Sequence, residues 1–238
     1  MRRALFLFLL FLAGCAASPL DGAIEDVDVV LQGEQHDAAS HQRRHRELVE
    51  QLVGQGRLAA VVIEMADAGV STRGLARSAT EDEVKAALQW SEAGWPWRSY
   101  GPAVMAAVRA AIPVIGANVP RSQSRAAMQD ATLDTVLPAA ALKAQQDAVR
   151  AGHCGVLPES QIAPMTRVQL ARDRSMAQTL LREVKPGKTV LLLAGNGHAD
   201  PDLGVPRHLP AKLRVHIIQL PAEPQRDYCD DFRKERAP

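Results

Sequence analysis

The run Thr189–Leu209, TVLLLAGNGHADPDLGVPRHL, passes from aliphatic residues straight into Gly195-Asn196-Gly197-His198. The run Asp28–His36, DVVLQGEQH, ends the same way in Gly33-Glu34-Gln35-His36. A short apolar run stopped by glycine reads as a buried strand, and in an open α/β sheet the loops leaving the strand carboxyl ends form the ligand crevice. Both G-x-x-H segments therefore point to one place if their strands are neighbours. Gly33 and Gly195 are expected to let the chain turn sharply, so that the histidines face the crevice. A dinucleotide loop at Gly195-Asn196-Gly197 does not hold up, since Asp200 stands where the third glycine belongs.

Working outward, Val27–Leu31, Leu58–Met65, Ile112–Ala117, Thr189–Ala194 and Arg214–Leu220 read as strands. Helical patterns fill the gaps at Ser40–Gly54, Glu81–Glu92, Pro102–Ala111, Leu133–Ala151 and Ala163–Val184, the last stopped by Pro186-Gly187. This alternation predicts an α/β fold with a mixed, largely parallel central sheet covered by helices, in a single domain over 27–220.

The start of the chain is different in kind. Two arginines precede ALFLFLLFLAG, an apolar stretch too short to span a bilayer but suited to an export signal over 1–14. It ends in Leu12-Ala13-Gly14-Cys15, which resembles the bacterial lipobox and makes Cys15 the lipidation site, with 15–26 as a linker. A net charge of +1 leaves no nucleic-acid footprint. Export makes a Cys154–Cys229 disulfide possible, but spacing leaves pairing and free thiols both open. Residues 221–238 read as a loosely held tail.

A third strand adds to the histidines. AAVVIEMAD carries Glu64 out of an apolar run, and Glu34 lies inside the first G-x-x-H segment. Glu34, His36, Glu64 and His198 together make a ligand set for zinc or another divalent metal, and equally a hydrolytic centre in which a histidine or glutamate activates water. His41 and His45 are spaced one helical turn apart, but HQRRHRE lacks the glutamate of a zinc-protease helix. His41 is expected to line the crevice, and His45 to be structural or solvent-facing.

The ordered segments LQGEQHDAASH, VVIEMAD, WPWRSYGPAVMAAVRAAIPVIGANVPR, HCGVLPESQIAPMTRVQLARDRSMAQTL and LLLAGNGHADPDLGVPRHL resemble the ChaN-like haem-binding lipoproteins. That family sits in a wider group with the Tiki and TraB proteins and the erythromycin esterases, whose shared mark is paired G-x-x-H segments plus glutamates. The resemblance implies an erythromycin esterase/ChaN-like α/β fold and a lipid anchor at the outer membrane. It also implies haem binding linked to iron uptake, homodimers enclosing paired haems, and a haem receptor or transporter as partner.

Haem needs apolar walls, an axial ligand and cations for its propionates. Trp90, Trp95, Trp97 and Tyr100 fall within eleven residues, among Gly94, Pro96 and Pro102. They read as a loop offering a wall or lid, with Trp97 foremost. Tyr100, His36 and His198 are the candidate axial ligands, and Arg121 in NVPR is the candidate propionate partner. Asp173, between two arginines, reads as an ion-paired helix position. Two functions remain: a haem-binding uptake protein, and a metal-dependent ester or amide hydrolase.

Overall fold

The computed structural model describes residues 24, 26–224 and 229–230. The export signal, Cys15 and nearly all of the linker lie outside the described residues. The strands are β1 (Val29–Glu34), β2 (Leu58–Asp67), β3 (Val114–Asn118), β4 (Thr189–Gly195) and β5 (Val215–Gln219), in the order β3-β2-β4-β1-β5. Each strand pair is parallel, so the sheet is uniformly parallel rather than mixed, an isolated antiparallel bridge from Ser71 to Ile115 apart. Parallel strands need helical crossovers that bury both faces. Accordingly Val30, Val61, Ile63, Leu191 and Leu193 enter one core, while Val29, Leu31, Val62, Leu192 and Ala194 enter the other.

Helices α1 (Ala39–Gly54), α2 (Glu81–Ala87) and α3 (Trp97–Arg109) cover the first face. Helix α6 (Glu159–Glu183) covers the second through Met176, Ala177 and Leu180, with α4 (Ser124–Gln129) and α5 (Ala139–Gly152) packed against it. The chain leaves β1 toward the α1 face. It leaves β4 toward the α6 face, where Val205 is buried. Adjacent strands β1 and β4 thus send their exits to opposite sides, which opens a crevice at their carboxyl ends.

Helix boundaries moved where proline was misread. Helix α3 begins at Trp97 behind Pro96, not at Pro102, and Pro102 lies inside it. Its buried side chains Trp97, Tyr100, Val104 and Ala107 follow helical spacing, so Trp97 and Tyr100 belong to a helix facing the core, while Trp90 and Trp95 lie in the irregular segment before it, as expected. Pro138 splits the helix expected over Leu133–Ala151 into a short 3-10 turn, Ala131–Thr135, and α5. Helix α2 stops at Ala87, where Gln89 takes a left-handed φ of 46°.

The tail is held rather than loose where it is described. Cys154 and Cys229 form a disulfide. The Pro221 carbonyl lies 3.1 Å from His41 Nε2, and the Glu223 amide donates to Gln35 Oε1. No described helix is long and apolar enough to cross a membrane.

Candidate functional site at the ends of the first and fourth strands

Glu34 is the last residue of β1 and lies opposite Gly195 in the sheet register. Its buried carboxylate gathers the α1 and α3 side of the site. Tyr100 Oη donates to Oε1 at 2.7 Å, Gln42 Nε2 donates to Oε2 at 2.7 Å, and His36 Nδ1 lies 2.7 Å from Oε1. Burial would raise the Glu34 pKa, but these hydrogen bonds and the charges of His36 and His45 hold it below the usual carboxylate value. Carboxylate at Nδ1 fixes the His36 tautomer and leaves Nε2 without a close hydrogen-bond partner, on a side chain that is 45% exposed. Burial would lower the His36 pKa, but the bond to Glu34 and the charges of Glu64 and Glu34 raise it overall.

The α6 side is built on Glu64, which leaves β2 toward the second core. Its Oε2 accepts from the Gly195 amide at 2.8 Å, and its Oε1 lies 3.4 Å from His198 Nε2. His198 Nδ1 is in turn 2.6 Å from Asp173 Oδ1. Burial opposes charge on His198, yet Glu64 and Asp173 on either side push its pKa up to about 10, making it an imidazolium. Against burial, the same pairing pulls Glu64 down to about 2. Burial pushes Asp173 upward against the pull of His198. The two halves meet where His36 Nε2 comes within 3.9 Å of Glu64 Oε2.

Glycine is needed here for close approach, not for a turn. Neither Gly33 nor Gly195 has a positive φ. A Cβ on Gly195 would lie 2.9 Å from His36 Nε2, and one on Gly33 would lie 2.4 Å from Asn196 Oδ1. The two histidine segments therefore interlock through missing side chains.

The cleft has a volume of about 600 Å³, and its lining includes Glu34, His36, Glu64, Arg172, Asn196 and His198. The structure thus brings together Glu34, His36, Glu64 and His198, as expected, but seats other residues elsewhere. His41 is buried away from the cleft, with Nδ1 accepting from the Gln35 amide and Nε2 against Pro221. Trp97 is a core side chain whose Nε1 donates to Glu81, and Trp95 is the indole that meets His36, edge-on with centroids 4.9 Å apart. Tyr100 is buried beneath Trp95, and burial together with Glu34 drives its pKa above the ordinary value. Arg121 is exposed on a 3-10 turn outside the cleft lining.

Sequence reasoning missed Gln42, passed over Asp173 as a helix ion pair and gave Arg172 no part. It also weighed the four acids and histidines as metal ligands. Glu34 and Glu64 are hydrogen-bonded to Tyr100, Gln42, His36 and the Gly195 amide, and both nitrogens of His198 face carboxylates. Among the described residues no group of three or more His, Cys, Asp or Glu is arranged to hold a metal ion. The zinc alternative thus finds no support in the donor set.

A wholly parallel α/β sheet whose neighbouring first and fourth strands end in paired G-x-x-H segments, each histidine held by a carboxylate, defines an α/β protein with a strand-end crevice. The family described as haem-binding uptake, Tiki superfamily, ChaN, matches residues 22–209, and the chain belongs to it. The solved structure described as cofacial haem binding to ChaN of Campylobacter jejuni shares the fold, with a TM-score of 0.68 and 23% identity over 84% of each chain. No curated protein matches the chain.

Proposed function

We propose that the protein takes up haem in this crevice, with His36 as the axial ligand through Nε2 and Trp95 as an apolar wall. The observation that carries the reading is the half-exposed His36 in the cleft lining, whose Nδ1 is committed to Glu34 while Nε2 has no closer polar partner than Glu64 at 3.9 Å. Such a carboxylate-backed imidazole is the usual form of a metal-binding histidine. His198 is a weaker axial candidate, because both of its nitrogens face carboxylates. Haem supplies the iron and the flat apolar surface; the chain supplies the nitrogen and the wall. Titration of haemin into the purified protein is expected to give a shifted Soret band. That shift should be lost in His36→Ala and kept in Tyr100→Phe and His198→Ala. Retention in His36→Ala would remove the axial assignment.

The leader and Cys15 support export and lipid attachment at the outer membrane, in a periplasmic or surface-facing position. With His36 half-exposed, one haem face stays open to a second copy, and the cofacial haems of the Campylobacter relative support a homodimer around paired haems. A receptor or transporter that exchanges haem completes this reading. Sedimentation of the protein with and without haemin tests the dimer. Detergent-phase partition lost in Cys15→Ala tests the anchor.

A second reading draws on the same dyad. A histidine with a buried carboxylate at Nδ1 and an open Nε2 is also a general base for water, with no metal required. Hydrolysis of p-nitrophenyl acetate that falls to background in His36→Ala would favour it; no turnover above background by the parent protein would end it.

A further inference from the structure

Helix α6 carries Arg167, Arg172 and Arg174. Arg167 is forked onto Asp134, with Nε and Nη2 at 2.8 and 2.6 Å from its two oxygens. Arg174 reaches Asp130 at 3.1 Å. Arg172 has no such acid: among the described residues its one hydrogen bond is a long 3.4 Å contact from Nη1 to Gln169. Its Nε is buried and makes no hydrogen bond. It is also the only arginine or lysine among the described residues lining the cleft.

An unpaired buried donor on a charged group is costly, and a guanidinium fork fits a carboxylate through two parallel bonds. The described acids at the cleft are engaged elsewhere, Asp37 accepting from Gln35 Nε2 at 2.9 Å. Glu34 and Glu64 are already bonded within the site, and Asp173, next in sequence, is bound to His198. The fork is left for a carboxylate that arrives with the ligand.

We propose that Arg172 reads a carboxylate of the crevice ligand, setting the class of ligand to a molecule with a carboxylate arm. Under the haem reading, on which this rests, the arm is a propionate. The position that sequence reasoning gave to Arg121 then belongs to Arg172, in the cleft lining with His36.

The test separates the carboxylate hold from the iron bond. The full chain in detergent, with Arg172→Gln, Arg172→Lys and His36→Ala, is titrated with haemin, haemin dimethyl ester and metal-free protoporphyrin IX. Arg172→Gln should weaken haemin and protoporphyrin IX by roughly tenfold to a hundredfold, the value of a charged hydrogen bond. It should leave the ester as it is in the parent. Arg172→Lys should fall between, keeping the charge without the fork, and His36→Ala should weaken haemin but not protoporphyrin IX. If Arg172→Gln discriminates acid from ester as strongly as the parent does, the proposal is overturned while the haem reading stands. If the parent binds none of the three, the haem reading falls, and the Nε–H resonance of 15N-arginine-labelled protein under succinate titration decides the proposal. Movement of the Arg172 signal supports a carboxylate site, and a fixed signal ends it.

Discussion

Gly195 is the residue on which the site closes. A methyl group there would stand 2.9 Å from His36 Nε2 and 3.6 Å from Glu64 Oε2. The imidazole is half-exposed and can swing outward, so Gly195→Ala should fold with little change in melting temperature. Haemin affinity should nonetheless drop by roughly tenfold as the nitrogen leaves the cleft, since small displacements at a binding centre are expensive. Unchanged affinity would show that His36 does not need its present position. Gly33→Ala should behave differently, because its Cβ would press on the Asn196 backbone at 3.0 Å as well as on the side chain. Urea unfolding should register a loss of about 1–3 kcal/mol. Both glycines were visible in the sequence as the ends of apolar runs, but what they make room for was not. The same holds for Gln42 and Arg172, and for the part that Asp173 plays. A residue on α6 or α1 becomes part of this site only through the packing of its helix against β1 and β4, which no local spacing encodes. Arg121 misled because it follows a strand directly, yet β3 is an edge strand and its exit leads away from the switch point.

The elements were legible to the extent that one signal dominated each. Aliphatic runs marked most of the strands, β5 with polar residues inside it apart, and β1 continues beyond Leu31 through Gln32, Gly33 and Glu34, which are polar or small yet fully buried. Helix α3 was misread because proline and glycine outweighed a helical spacing of large side chains. In the structure Gly101 is one of the reasons the helix can pack: its missing Cβ accommodates the Trp97 ring, which would otherwise be 2.5 Å away. Gly101→Ala gains helix propensity, about 1 kcal/mol, but must displace an indole hydrogen-bonded to Glu81 at 2.8 Å. Overpacking is expected to win, with a net loss of about 1–2 kcal/mol in urea unfolding and a changed tryptophan emission. A more stable variant with parental emission would show that Trp97 has room to move. The disulfide works at this scale too, closing a loop across 75 residues between the α5–α6 turn and the tail. Its reduction should cost up to about 4 kcal/mol by the chain-entropy estimate, read as a lowered urea midpoint.

For the whole molecule, the buried charges set a window of stability that the sheet topology creates by crowding them between two helical layers. His45 is buried, its ring nitrogens make no hydrogen bond, and Glu34 Oε2 lies 3.7 Å away. Burial outweighs the attraction of Glu34 and lowers its pKa from 6.5 to about 4, with His36 and His41 adding to the fall. The unfolded chain then binds this proton at a higher pH than the folded one, so stability is lost as pH falls from 6.5 through about 4. The loss across that window is on the order of 3 kcal/mol. Glu64 acts in the same direction lower down: its contribution is present above 4.5 and lost as pH falls through about 2. His198 acts oppositely. With a folded pKa of about 10 against 6.5, its contribution is complete below 6.5 and lost as pH rises through about 10. The stability of the ligand-free protein should therefore peak near pH 6.5 and fall on both sides. His45→Leu, which removes a titrating ring that makes no hydrogen bond, should flatten the acid limb between 6.5 and 4 and leave the alkaline limb alone. His198→Gln should lower stability at neutral pH and flatten the alkaline limb instead. Urea unfolding at intervals of pH measures both. An acid limb in His45→Leu as steep as the parent's would place the responsible proton elsewhere, on the carboxylates that bracket the cleft.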